Sequence, residues 1–435
     1  MEATGRNTWA PVAVVTSLFF MWGFITVLVD SLIPRLREIF ELSYFEAGLV
    51  QFAFFIAYLL VSIPSGWLLS RIGYKSGMLV GLATMGAGCL LFWPAAGLRL
   101  FPLFLFGYFI LAAGMTVLQV AANPYMAVLG EERGASSRLN LAQAFNSVGT
   151  TIAPIIGAQY ILSDHIRSSA DLATMDLASK ETYYVQEAAA VQGPFVVLAG
   201  ALLFLALIVG MVRLPRILDP HRTGTYSAAL RKPGLLRGAI GIFLYVGAEV
   251  AIGSYLVNYF LSMDLAEVIR GDGTLSMIAA TLLGGDLDAV DAKGVVGSFV
   301  TLYWGGAMLG RFAGSLLTQL FKPALVLLIF ASTAIVMVLI SMNTTGTIAM
   351  WSILSVGLFN SVMFPTIFTQ SIEGLGPLKP QASGILCTAI FGGAVIPPLL
   401  GFLADGFGFK IAFLLVVLCY GYITYFAWTE RRTAA

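Results

Sequence analysis

The chain has 435 residues, a formal net charge of +1, 58% hydrophobic and only 11% charged residues, and a mean hydropathy of +0.88. Soluble domains carry roughly a quarter charged residues, so the composition excludes a soluble globular enzyme and points to a polytopic membrane protein embedded in lipid. It also leaves no electrostatic footprint for nucleic acid, and Cys89, Cys387 and Cys419 all fall in apolar runs, where they read as small packing residues.

A membrane-crossing helix needs about 20 apolar residues. Runs of that length fall at 11–33, 44–69, 78–98, 102–128, 139–162 and 192–213, and six more at 236–262, 294–318, 323–342, 345–372, 381–404 and 408–428. Their length and continuity favour helices over barrel strands, which alternate over about ten residues. The head MEATGRNTWAP has no small-residue cleavage site, so the first run reads as an uncleaved span. If both termini face the cytoplasm, 16 of the 24 Lys and Arg residues lie on that side, Arg311 among them, as the positive-inside rule requires. The basic, Pro- and Gly-interrupted stretch around 214–235 reads as a cytoplasmic linker between residues 1–213 and 236–435, each a bundle of six helices.

The two halves share landmarks. Gly66 recurs as Gly310, Pro124 as Pro365, and Gly149 with Pro154 as Gly392 with Pro397, at offsets of 244, 241 and 243. A near-constant offset predicts six helices repeated in one orientation.

Two carboxylates, Asp30 and Glu249, lie inside these runs. An ionisable residue in a span is expensive and is a functional-site candidate by default. Glu249 is about 13 residues into the seventh run, near the midplane, where desolvation favours the neutral acid and suits a proton carrier. Asp30 precedes Pro34 and has Arg35 and Arg37 nearby, so an ion pair at the span edge is the alternative. Gln119 and Asn123 are four apart in the fourth run, and Gln143 and Asn146 three apart in the fifth, so each pair shares a helix face. Neutral amides suit a polyhydroxylated, uncharged solute. Interhelical glue is the competing reading. Asn258 and Tyr255 in the seventh run, Asn360 in the tenth, and the aromatics Trp22 and Trp304 are further candidates.

The segment GWLLSRIGYKSG, Gly66 to Gly77, resembles the helix 2–3 signature of the major facilitator superfamily, with Gly66, Arg71, Gly73 and Lys75 in the expected places and Ser70 where that superfamily usually has an aspartate. The resemblance implies a structural or gating role for these four and a latch built differently at Ser70. LQVAANPYMAVLGEERGASSRLNLAQAFN (Leu118–Asn146), FWPAA (Phe92–Ala96), DSLIP (Asp30–Pro34) and NSVMFPTIF (Asn360–Phe368) together resemble the fucose/glucose/galactose symporter family. LQVAANPY beside YVGAEVAIGSYLVNY (Tyr245–Tyr259) is more similar to its bacterial glucose/galactose branch. The fucose branch has a glutamate where this chain has Gln119 and a glutamine where it has Glu249. An amide does not titrate, so proton coupling would fall to Glu249 or Asp30.

The resemblance implies an all-α membrane protein of twelve transmembrane helices in two six-helix bundles, the major facilitator fold. The implied activity is import of glucose or galactose with H⁺ or Na⁺ by alternating access around a central site, with Gln143 and Asn146 matching residues of the family's sugar pocket. No nucleotide-binding G-x-x-x-x-G-K-[ST] loop and no nucleophile–base constellation occurs, so the expectation is a gradient-driven carrier without cofactor or enzymatic activity. A monomer in the bacterial inner membrane is expected, with membrane lipid and a hexose as its partners. The alternatives are an exporter of sugars or amphiphilic drugs and a sugar sensor.

Overall fold

The computed structural model describes residues 9–39, 44–160, 175–215, 217 and 224–433, and every regular element among them is helical. The elements are α1 (Trp9–Ile39), α2 (Tyr44–Gly97), α3 (Phe101–Val128), α4 (Ala135–Tyr160), α5 (Leu177–Met211), α6 (Tyr226–Leu230), α7 (Pro233–Leu261), α8 (Leu265–Gly271), α9 (Gly273–Leu283), α10 (Ala292–Leu320), α11 (Pro323–Asn343), α12 (Gly346–Asn360), α13 (Met363–Ile372), α14 (Lys379–Thr388), α15 (Gly392–Phe407), α16 (Phe409–Ala412) and α17 (Leu414–Thr433). α2 is two legs, because Gly73 takes φ +80° and ψ 165°, a conformation open to glycine. Counting those legs separately, taking α12–α13, α14–α15 and α16–α17 as one leg each, and leaving aside the short α6, α8 and α9, gives twelve among the described residues.

Helix starts follow elementary punctuation. Pro233 and Pro323 open α7 and α11, where the missing N–H costs nothing. Asp176, Asp272 and Asp291 cap α5, α9 and α10, with Asp291 accepting from the Gly294 N–H at 2.8 Å. Three differences from the sequence reading have physical causes. The 345–372 run is interrupted at Ser361–Val362, because Pro365 offers no N–H to the Ser361 carbonyl and its ring crowds that group. The 263–293 connection is not plain loop but holds α8 and α9, the latter nucleated by the Asp272 cap. α5 begins at Leu177, ahead of the apolar run, on the Asp176 cap.

Among the described residues, nine helices are long and apolar enough to cross a membrane. α4 and α10 fall outside that set, and they are the helices carrying Gln143 and Asn146, and Trp304 and Arg311. Their lower apolarity reflects polar faces turned inward.

The chain packs as two compact units: Met1–Glu131, Phe145–Arg231 and Gly374–Thr388 in one, and Glu132–Ala144, Lys232–Glu373 and Ala389–Ala435 in the other. The first part of α4 thus packs with the second unit, and α14 with the first. Within the first unit α4 crosses α1 at Gly149, where any Cβ would run into the Phe20 carbonyl. Within the second, α15 meets α7 at Gly392, where a Cβ would run into the Phe243 carbonyl. The two glycines at offset 243 therefore do the same job.

Candidate functional site

In the second unit the seventh run folds as α7, and Tyr245 and Glu249, four apart, share its inward face. α10 presents Tyr303 and Arg311 from a face two turns long. Arg311 Nη2 lies 3.5 Å from Glu249 Oε1, with the two side chains 14% and 11% exposed. Tyr303 donates to the Glu249 main-chain carbonyl at 3.3 Å, and Asn360 at the end of α12 donates through Nδ2 to Tyr303 Oη at 2.7 Å and to Tyr420 Oη of α17 at 3.5 Å. The buried Tyr245 hydroxyl faces the Glu249 carboxylate, and Asn360 Oδ1 is buried without a partner. One turn beyond Glu249, the half-exposed indole of Trp304 covers Gly253 and meets the Tyr303 ring edge-on at 5.1 Å.

Glu249, Asn360 and Trp304 are thus brought together. Asn258 is not: it is exposed, nine residues on from Glu249 or about 13 Å along the axis. Gln143 is buried in this unit, on the first part of α4. Tyr255, six residues on from Glu249, points to another face of α7, its hydroxyl against Gly401.

Arg311 corrects the sequence reading. It does not flank a cytoplasmic loop but is a buried residue of a span, and the remaining basic residues carry the charge bias without it. The signal was present: Arg311 is the sole basic residue in the 294–318 run and, by the argument applied to Glu249, required a partner. Tyr245, Tyr303 and Tyr420 were missed because tyrosines are frequent in membrane helices and nothing in their spacing joins three helices.

In the first unit Gln119 Nε2 donates to Tyr58 Oη at 2.5 Å. Asn123, one turn on, is fully enclosed, with its amide beside the Cys387 thiol. Asn146 Nδ2 donates to the Phe19 carbonyl of α1 at 2.8 Å, and its amide fills the notch left by Gly23. Trp22, also on α1, is buried with its ring 4.1 Å from Phe19. Asn146 therefore joins two helices. Asp30 is on α1, and its side chain, like those of Arg35 and Arg37, lies outside the described residues.

The helix 2–3 signature is also in this unit. Gly66 allows α2 to approach Gly384 of α14, and the notch is filled by the phenol of Tyr226 on the linker helix α6, which donates to the Ile63 carbonyl. Burial raises the Tyr226 phenol above its ordinary range, so it stays a neutral donor. The Arg71 guanidinium stacks on the Trp67 ring at 4.0 Å. Gly73 makes the turn. Lys75 Nζ caps α5 by donating to the Gly210 and Val212 carbonyls at 2.7 and 2.9 Å. Ser70, in the usual aspartate position, bonds only its own helix, at the Trp67 carbonyl. All three cysteines are buried free thiols.

A twelve-legged helical fold with polar clusters buried in each unit defines a membrane carrier, and the sequence agrees: the Major Facilitator Superfamily profile matches residues 13–386, so the chain belongs to that superfamily. Within it the chain belongs to the family of glucose/galactose and fucose transporters. It is 46% identical to the glucose/galactose transporter of Brucella abortus (biovar 1, strain 9-941), over 95% of this chain and 92% of the relative. It is 34% identical to the L-fucose-proton symporter of Escherichia coli K12, over 99% and 95% of the two chains. The crystal structure of the E. coli fucose:proton symporter FucP, a point variant, is similar with a TM-score of 0.86 at 32% identity, covering 98% of this chain and 99% of that one. The protein is therefore an all-α, multi-spanning integral membrane protein, a carrier and not an enzyme.

Proposed function

We propose that this carrier imports a hexose, glucose or galactose, together with a proton. The observation that carries the reading is the character of its buried polar groups. Gln119, Asn123, Gln143, Asn146 and Asn360 are neutral amides, and the buried carboxylate Glu249 is compensated by Arg311. Such an interior suits a neutral polyol and would penalise an ionic substrate. The relationship to glucose/galactose transporters supports the same sugar class.

In the proposed cycle Asp30 and Glu249 are the coupling carboxylates, and loading neutralises buried charge before the carrier reorients, which lowers the cost of closure. The surroundings of Glu249 favour H⁺ over Na⁺. Sodium needs several oxygen ligands, whereas this carboxylate faces a guanidinium and phenols. Trp304 offers a flat apolar face of the kind that covers sugar C–H surface, and Asn258 lies at the outer end of the same helix pair. Gly66, Arg71, Gly73 and Lys75 shape the gating end of the first unit. The chain works as a monomer in the bacterial inner membrane with both termini cytoplasmic and lipid as its solvent.

Uptake of radiolabelled glucose into proteoliposomes under imposed pH or Na⁺ gradients tests this, with wild type beside Glu249→Gln. Accumulation driven by an inward proton gradient and lost in the variant is expected. Absence of any glucose counterflow in the wild type overturns the hexose reading. Accumulation driven by sodium overturns the proton, and full accumulation by Glu249→Gln leaves coupling to Asp30 alone.

A further inference from the structure

The function proposed for Glu249 raises a problem that Arg311 resolves. A coupled carrier returns empty in every productive cycle, and on that leg no coupling cation is bound. An uncompensated carboxylate in a desolvated bundle is costly, so some other positive charge must accompany it. The groups facing Glu249 among the described residues are Tyr245 from its own helix, Tyr303 and Arg311 from α10, and Tyr420 from α17, with Asn360 of α12 bridging the two phenols. Arg311 is the positive member, and it is permanently charged.

The geometry of the pair is that of a contact made to be exchanged. A well-formed guanidinium–carboxylate bond is about 2.7–2.9 Å long and often bidentate. Here Nη2 stands 3.5 Å from Oε1. In the same cluster Asn360 Oδ1 is buried without a partner, and buried polar atoms are rarely left so. It is an acceptor in reserve, and the Tyr245 hydroxyl beside the carboxylate keeps its oxygen lone pairs for a second donor.

We propose that Arg311 is the resident counter-cation of Glu249: it compensates the carboxylate in the empty carrier and gives way to the proton that enters with sugar. This inference rests on the symport reading above. On loading, a proton from the outer solution adds to a Glu249 carboxylate oxygen, while the guanidinium keeps its own protons. Arg311 then turns its N–H groups to neutral acceptors of the protein, Tyr245 Oη and Asn360 Oδ1. On the inner side the proton leaves Glu249 to solvent, sugar departs, and Arg311 returns to the carboxylate for the empty leg. Arg311 is thus a positioning residue whose effect is confined to one half of the cycle.

Two transport modes separate the halves. Counterflow exchanges labelled for unlabelled glucose through the loaded carrier. Efflux into sugar-free buffer needs the empty carrier to return. In proteoliposomes, Arg311→Gln is expected to keep counterflow within about three-fold of wild type while efflux slows at least about ten-fold. Arg311→Lys, which keeps the charge, restores part of the efflux. Glu249→Gln combined with Arg311→Gln removes both charges and restores efflux, now without the share of proton movement, read by a pH-sensitive dye, that Glu249 carries. Equal loss of counterflow and efflux in Arg311→Gln, or wild-type rates for both, overturns the proposal. If that variant does not fold, the doubly substituted protein decides: restored efflux with less proton movement per glucose than wild type supports the proposal, and a folded protein that exchanges glucose without net efflux overturns it. Wild type that shows no glucose counterflow fails the hexose reading instead, so the two failures are distinct.

Discussion

Replacing Glu249 by Gln removes one charge of a buried pair whose partner cannot follow it, because a guanidinium does not deprotonate in a protein. At 3.5 Å and an effective dielectric of about 20, the attraction between the two charges amounts to roughly 5 kcal/mol. With side chains 14% and 11% exposed, solvent screens little of it. Burial of both ions offsets most of that gain, so the intact pair contributes little net stability. The single variant is different: it leaves Arg311 buried and uncompensated, a change that costs about 3–5 kcal/mol. The same holds for Arg311→Met, which strands the carboxylate. Substituting both, Glu249→Gln with Arg311→Met, removes the charges together and is expected to fall within about 1 kcal/mol of wild type.

Thermal melting in detergent micelles reads this cycle. Each single variant lowers the midpoint by several degrees, and the double variant recovers most of the loss. Coupling between the two sites then exceeds about 2 kcal/mol, far above the few tenths expected of independent positions. Additive behaviour, with the double variant as damaged as the sum of the singles, would refute the pairing and with it the account of why Glu249 is tolerated in α7.

Other residues give independent checks. Asn146→Ala leaves the carrier folded, since the lost bond to the Phe19 carbonyl is worth about 1 kcal/mol net, yet weakens glucose binding at least about ten-fold by calorimetric titration; wild-type affinity would move the sugar site elsewhere. Gly149→Val and Gly392→Val each force a side chain against backbone carbonyl and destabilise by about 3 kcal/mol or more, seen as loss of monodisperse protein on size exclusion, whereas Gly305→Ala meets no neighbour within 4 Å and melts no lower than wild type. Lys75→Met strips two carbonyls at the end of α5 of their donor and lowers the melting midpoint by the equivalent of about 1 kcal/mol; no change would remove its capping role. Tyr226→Phe loses the bond to the Ile63 carbonyl and raises protease sensitivity around residues 213–237, and an unchanged cleavage rate would show that the linker helix is held by packing alone.

The architecture was legible because lipid imposes it. Runs of about 20 apolar residues have one use in a membrane, and the landmarks Gly66, Gly149 and Pro365 mark where backbones meet or helices break, which sequence spacing records directly. Asn146 and Glu249 were legible as candidates for the same reason, being costly in that solvent. What was not legible is which groups they meet. Arg311 is 62 residues from Glu249, and Tyr420 is 60 from Asn360, so the cluster exists only once α7, α10, α12 and α17 are packed.

The crossing glycines show how an asymmetric site is built on a repeated scaffold. Aligning Phe20 with Phe243, the carbonyls against which Gly149 and Gly392 pack, sets α1 and α7 in register. Three residues before the glycines the halves already part: Asn146 in the first bonds the Phe19 carbonyl, where the second has the apolar Ala389. Six residues beyond the shared phenylalanines stand Thr26 and Glu249. Thr26 is satisfied within its own helix, by the Trp22 carbonyl at 2.7 Å, and needs no counter-charge. Glu249 does, and α10 supplies Arg311. One turn further the order reverses, with Asp30 on α1 and Gly253 on α7, the latter roofed by Trp304. The two carboxylates therefore lie at helix positions a turn apart in different halves. Packing constraint has kept the glycines alike, while the residues within a turn of them are free to differ. That freedom is what allows the second half to carry, at Glu249, a charge compensated from its own bundle where the first has the self-satisfied Thr26.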